Sequence, residues 1–104
     1  MADNTWLQRA MAGDDYAQYW VGVDYMQGEN GCKKDPYEAA YWFEKAAKQG
    51  NKPACFAIGN MYYLGEYVMQ DYEKARYYLL RSANPNDYFV QKTIKDCEEH
   101  LNKK

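Results

Sequence analysis

Between Tyr37 and Lys48 the apolar stripe runs through Ala39, Trp42, Phe43, Ala46 and Ala47. The spacing i, i+3, i+4, i+7, i+8 is one face of an amphipathic α-helix. Glu38, Glu44, Lys45 and Lys48 fall off the stripe. Asp35-Pro36 is a start signal, with Asp as N-cap and Pro at the first helical position. Gly50 is a stop signal. The same stripe returns at Ala75, Tyr78, Leu79, Ser82 and Ala83, capped by Asp71. Pro85 forbids its continuation.

Two other segments, Asp14–Gln27 and Pro53–Leu64, are apolar around more of their circumference. Ala17, Val21 and Tyr25 line one face of the first, and Ala54, Ile58 and Tyr62 line one face of the second. Gly22 and Gly59 sit mid-helix, where glycine costs about 1 kcal/mol relative to alanine. Matched glycines at such a cost predict a neighbouring helix in close approach. Gly28 and Gly65 end these helices.

The four segments form two copies of one unit. Ala17, Gly22, Tyr25 and Gly28 superpose on Ala54, Gly59, Tyr62 and Gly65 at an offset of 54 − 17 = 37. Asp35, Ala39, Tyr41 and Ala47 superpose on Asp71, Ala75, Tyr77 and Ala83 at 71 − 35 = 36. The first copy therefore carries one extra residue between Glu29 and Asp35, in a loop, with register kept on both sides. The unit is helix, short loop, helix, short loop, and short loops make neighbouring helices antiparallel. Before it, Ala10-x-Ala12-Gly13-Asp14 matches the end of a second helix. After it, Asp87 caps a stripe of Phe89 or Val90, Ile94, Cys97 and Leu101, with Glu98, Glu99 and Lys103 in water. Lys95 stands where the repeat has its glycine, so this helix reads as a cap on the stack.

The stretch from Ala54 to Ala83, with its "IGNMYYLGE", "DYEKA" and "SA" segments, resembles the Sel-1-like repeat, a relative of the tetratricopeptide repeat. "KAAKQGN" of the first copy, Lys45–Asn51, is similar too. Departures are Tyr67 at a usual turn glycine, Cys32 at the valine position, and "RSANPN" at the end of the second copy. The expected architecture is all-α: a short right-handed solenoid of antiparallel helix pairs in one domain over residues 1–104. It comprises an N-terminal half repeat at 1–13, full repeats at 14–51 and 52–86, and a capping helix and tail at 87–104. The resemblance implies a scaffold that binds peptides or protein domains on a concave face lined by each unit's first helix. It implies no catalysis.

Composition narrows the partner. The net charge of −2 argues against nucleic acid or an anionic membrane as main partner, since phosphate binding wants a basic stripe. No basic flank precedes an apolar run at the N-terminus, and no stretch approaches the ~18 apolar residues of a membrane span. The expected location is the cytoplasm. Cys32, Cys55 and Cys97 are odd in number and lack C-x-x-C spacing, which disfavours a disulfide framework.

Candidate chemistry is sparse. The one histidine, His100, reads as a solvated residue near a helix C-terminus, where its charge suits the dipole. The one serine, Ser82, reads as a packed small residue. Asp14-Asp15 reads as helix capping, and no cluster has metal-ligand spacing. No enzyme activity, cofactor or metal is expected. Tyrosine is the outlier at 12 of 104 residues. Large side chains that the repeat does not require are the binding candidates: Trp20, where the second copy has Ala57; Tyr63, which matches Met26; and Tyr67 in the turn. With them go Val23, Gln27, Asn60 and Leu64, which lie off the core stripe on a helical wheel. Trp6 is expected to fill the open N-terminal end. The function expected is binding of one protein or peptide partner by a monomer, either as an adaptor or as a toxin-neutralising immunity or antitoxin-like regulator. Self-assembly into a structural array is the alternative, with a small enzyme as a remote third.

Overall fold

The computed structural model describes residues 5–82, 84 and 86–103. Ala83 and Pro85, the expected end of the second stripe and its stop, lie outside these residues. So do residues 1–4 of the N-terminal half repeat and Lys104 of the tail. The described residues form six helices and no strand: α1 (Thr5–Met11), α2 (Asp15–Gln27), α3 (Pro36–Lys48), α4 (Lys52–Leu64), α5 (Tyr72–Leu80) and α6 (Tyr88–Leu101). Each helix packs on the next in chain order, which gives an elongated stack of 50 × 21 × 21 Å. This is the all-α solenoid that the two periodic copies predict.

The helix starts repeat with the sequence. Asp14, Asn51 and Asp87 are the N-caps of α2, α4 and α6, spaced 51 − 14 = 37 and 87 − 51 = 36. Asp35 and Asp71 cap α3 and α5. In each case the side-chain oxygen accepts a backbone N–H of the first turn, which would otherwise have no partner. The first repeat is tied to the half repeat before it by polar side chains. Gln18, buried, donates to the Ala10 carbonyl at 3.0 Å. Gln49 donates to the Gly13 carbonyl and to Gln18 Oε1, both at 2.9 Å.

The turns also correspond. Asp35 N–H donates to the Tyr25 carbonyl at 2.8 Å, and Asp71 N–H to the Tyr62 carbonyl at 3.0 Å. Within these turns Asn30 and Tyr67 occupy matching left-handed positions, with φ of 52° and 64°. The extra residue of the first copy is Gly31, also left-handed at 81°. A bulky side chain at such a φ is unusual and costs roughly 1–2 kcal/mol. The Tyr67 ring offsets part of this by an edge contact to Tyr37, centroids 5.4 Å apart.

The main core gathers residues of α3, α4, α5 and α6, including Phe43, Cys55, Ile58, Met61, Tyr62, Tyr78 and Cys97. A second cluster of Ala10, Ala17, Val21 and Trp42 closes the N-terminal end, with Trp6 and Leu7 packed against it. A third joins Leu79 to Val90 and Ile94. Val90, not Phe89, carries the α6 stripe, because Phe89 is 74% exposed. The glycines stand at close approaches. A Cβ on Gly22 would lie 2.7 Å from the Phe43 ring, and one on Gly59 2.9 Å from Leu79 Cγ.

One expectation is corrected. The periodicity carries the second helix of the second copy through Ser82, but α5 stops at Leu80. Arg81 N–H turns back to the Tyr78 carbonyl at 3.0 Å, and Ser82 Oγ donates to the Leu79 carbonyl at 2.8 Å. A hydroxyl bonding three residues back competes with the helical ladder. Ser82 is still buried, so the apolar face persists after the helix ends.

Glu44 organises the polar side of the core. Its two carboxylate oxygens accept the hydroxyls of Tyr62 at 2.8 Å and Tyr78 at 3.0 Å, while the two rings stack at 11°. Burial, and then the bond to the carboxylate, push both phenols well above the ordinary tyrosine value. Tyr63 is pushed up to about 12, first by its hydrogen bond to Asp96 and then by burial. The folded protein thus holds these protons more tightly than the unfolded chain, whose tyrosines ionise near 10.0. The stabilisation is complete below that pH and is lost as pH rises through the folded-state values. Thermal melts from about pH 9 to about pH 12 should show stability falling above roughly pH 10, with tyrosinate absorbance appearing together with unfolding. Flat stability across that window would contradict the arrangement.

Candidate functional site

The first helices of the repeats, α2 and α4, carry most of the candidate side chains. Trp20, 38% exposed, meets Tyr16 and Tyr19 edge-on, with centroids at 6.2 and 5.3 Å. Trp6 joins Tyr16 at 5.6 Å and lies under the Arg9 guanidinium at 5.0 Å. Tyr19 reaches Phe43 at 5.6 Å. An aromatic ladder therefore runs from α1 across α2 to the core. Trp20 is anchored in it on one side and open to solvent on the other.

The remaining candidates differ in how free they are. Leu64 is 57% exposed beside Gly65, and Gln27 is exposed beside Gly28. Asn60 is half-buried. Val23 and Tyr63 are half-buried against the main core cluster. The Tyr63 hydroxyl donates to Asp96 Oδ2 at 2.6 Å, and its ring meets Tyr72 at 6.1 Å. Tyr67 is 40% exposed in its strained turn. The seven do not form one touching cluster: Trp20 has α2 neighbours, Tyr63 has α5 and α6 neighbours, and Tyr67 has an α3 neighbour. Trp20 and Gln27 are roughly 10 Å apart along the helix axis.

Three exposed rings are not among the binding candidates that the sequence singles out. Tyr16, Phe56 and Phe89 are 53%, 46% and 74% exposed. Tyr16, Pro53 and Phe89 each stand two residues after an N-cap, so an apolar position recurs at the start of every first helix. That recurrence is the signal in the sequence for Tyr16 and Phe89; Phe56, five residues after Asn51, has none. Pro53, Phe56, Asn84, Asp87, Phe89 and Val90 line a cavity of about 380 Å³ between the starts of α4 and α6. A larger groove of about 700 Å³ runs along α6, lined by Tyr63, Tyr88, Lys92, Lys95, Asp96 and Glu99 among others.

The residues with chemical potential have structural partners. His100 is stacked on Tyr72 at 4.3 Å, rather than simply solvated, and its Nδ1 lies 2.9 Å from the Asp96 carbonyl. Cys55 and Cys97 are buried, and burial pushes the Cys97 thiol up to about 11, which disfavours the reactive thiolate. Among the described residues no group of three or more His, Cys, Asp or Glu side chains is placed to hold a metal ion. No helix among them is long and apolar enough to cross a membrane.

Comparison with known proteins agrees with this geometry. The Sel1 repeat family model matches residues 15–51 and 52–86. A Sel1 repeat protein from Oxalobacter formigenes superposes with a TM-score of 0.79 at 28% identity, over 93% of this chain and 40% of that one. The protective antigen c5321 of uropathogenic Escherichia coli strains, which displays an SLR fold, gives 0.75 at 33% identity, over 94% and 21%. Among curated proteins, the ERAD-associated E3 ubiquitin-protein ligase component HRD3B of Arabidopsis thaliana is 34% identical over 80 residues, 76% of this chain. The chitin synthase regulator SKT5 of Malassezia restricta is 38% identical over 47 residues, 45% of this chain. The matched region spans only 12% and 3% of those two proteins. With two family repeats covering most of its length and the same helical stack, the chain belongs to the Sel1 repeat family.

Proposed function

We propose that this protein is a non-catalytic interaction module that binds one protein or peptide partner on a concave face lined by its first helices, through Trp20, Val23, Gln27, Asn60, Tyr63 and Leu64, with Tyr67 of the following turn. The observation that carries the reading is the exposure of Trp20 and Leu64 on successive first helices, at positions the core does not use. Exposed apolar side chains grouped on one face mark interaction sites, and aromatic anchors dominate their energetics. The names of the two curated relatives, a ligase component and a synthase regulator, support a role exerted through other proteins. In its finer form the protein is a cytoplasmic, monomeric regulator of the immunity or antitoxin type. Its net charge of −2 would speed encounter with a basic target.

The test begins with a partner recovered by affinity capture from the source cells and confirmed with purified components. Trp20→Ala should weaken binding roughly 30-fold, the loss of a ~2 kcal/mol anchor. Leu64→Ala should weaken it less. Tyr63→Phe keeps the ring while removing the bond to Asp96, and so separates contact with the partner from support of α6. Native affinity in Trp20→Ala and Leu64→Ala, with melting unchanged, would remove the assignment of this face.

A further inference from the structure

Tyr41 and Tyr77 occupy matching places in the two second helices, and so do Lys45 and Arg81, at 81 − 45 = 36. Both rings are half exposed. Each stands nearly perpendicular to the buried ring that follows it: Tyr41 to Trp42 at 5.4 Å and 82°, Tyr77 to Tyr78 at 5.2 Å and 84°. One turn further on, an exposed cation lies over each ring. Lys45 Nζ is 5.5 Å from the Tyr41 centroid, and the Arg81 guanidinium carbon is 3.6 Å from that of Tyr77. The same ring-and-cation pair is thus built twice, on α3 and at the end of α5. Neither pair belongs to the first helices that carry Trp20 and Leu64.

A cation near a helix C-terminus suits the dipole, which accounts for the charge. It does not account for the ring beneath the cation, and an exposed cation–π pair adds little to stability. What the ring does is hold the cation in one place. Arg81 spends one N–H on the Tyr77 carbonyl at 3.0 Å. The rest of its five-donor fork is left over. The ion pairs among the described residues are Arg9–Asp14, Arg76–Glu98 and His100–Asp96, so neither Lys45 nor Arg81 is in one. Of the acidic side chains on these two helices, Glu44 is committed to Tyr62 and Tyr78. Glu38 and Glu73 lie seven and eight residues before the cations, roughly 10–12 Å along the axis.

Two ordered cations without counter-charges, one repeat apart, are complementary to a pair of carboxylates. α3 and α5 both pack on α4, so their axes are at most roughly 20 Å apart. An extended chain of about six residues spans that distance. We infer that Tyr41–Lys45 and Tyr77–Arg81 form a second binding surface, on the second helices, that takes a short acidic peptide segment of a partner protein. The Arg81 fork grips one carboxylate through paired N–H bonds. Lys45 supplies a point charge for another. The rings order both cations beforehand, which reduces the entropy lost on binding. Single-stranded nucleic acid fits less well, because it binds by laying bases on open ring faces. Here a cation already covers a face of each ring.

Fluorescence anisotropy with a fluorescein-labelled octaglutamate peptide tests this. At about 20 mM salt the native chain should bind it saturably, and affinity should fall roughly tenfold or more by about 300 mM. Lys45→Gln/Arg81→Gln should weaken binding about tenfold with helical circular dichroism unchanged, since glutamine is a good helix former. Arg81→Lys keeps the charge without the fork and should weaken it about threefold. Lys33→Gln/Lys34→Gln removes the same charge from the exposed loop before α3 and should leave affinity within about twofold. Trp20→Ala should change nothing, so failure of the first-helix face and failure of this one are read apart. Three results would overturn the inference: no saturable binding by the native chain, equal losses in the two double glutamine variants, or tighter binding of a labelled oligothymidylate through Lys45 and Arg81.

Discussion

Gly59→Val should lower the stability of the folded protein by about 3 kcal/mol, the upper part of the range for overpacking a filled core. Intrinsic propensity points the other way, since valine is the better helix former. The steric effect wins because of what the added atoms meet. An ideal Cβ at Gly59 lies 2.9 Å from Leu79 Cγ, 3.0 Å from its Cδ2 and 3.3 Å from its backbone nitrogen. Leu79 is fully buried and packs with Val90 and Ile94, so retreating from Gly59 would push it into the contact with α6. Even Gly59→Ala should destabilise, despite a propensity gain of about 1 kcal/mol. Denaturant titration in native and Leu79→Ala backgrounds identifies the cause. The cost of Gly59→Val should shrink markedly once Leu79 is truncated, because the two sites share one contact. A Gly59→Val protein as stable as the native one would show that α4 and α5 do not meet there.

Glu44→Ala should cost a comparable amount, about 3 kcal/mol, or roughly 15 °C in melting temperature for a domain of this size. The Tyr62 and Tyr78 side chains are 7% and 4% exposed, and both hydroxyls are satisfied by this one carboxylate. Removing it leaves two buried donors without a partner, and each such donor costs about 1–3 kcal/mol. The control is the Tyr62→Phe/Tyr78→Phe protein, in which Glu44→Ala should have little effect because nothing is left to strand. Equal costs in the two backgrounds would mean that Glu44 stabilises through something other than these bonds. The same change should weaken the alkaline transition, because the carboxylate helps hold both phenolic protons.

The candidate surface was only partly legible in the chain. Trp20 stands out in the repeat alignment and Leu64 on the helical wheel, and both are exposed in the fold. Tyr63 stands out equally, yet its hydroxyl is committed to Asp96, 33 residues away. Repeat alignment shows that a side chain departs from its counterpart but not what it will touch. Tyr16 and Phe56 were not singled out, and Phe89 was read only as an alternative stripe position, for a related reason. An apolar residue at a helix start looks alike in sequence whether or not a neighbour covers it.

The sequence alone determined the helices and their order. Periodicity of 3.6, the Asp and Asn caps and the glycine stops are local signals, read within a turn or two of the chain. The repeat register follows from them, because two copies with the same local signals must stack in the same way. Tertiary structure decided what local signals cannot carry. It ended α5 at Leu80 although the apolar stripe continues to Ser82. It brought Glu44 of α3 between Tyr62 of α4 and Tyr78 of α5, and laid His100 on Tyr72. The physical reason is common to all of these. A hydrogen bond or a clash depends on distance in space between residues far apart along the chain, and that distance is set only when the helices have packed.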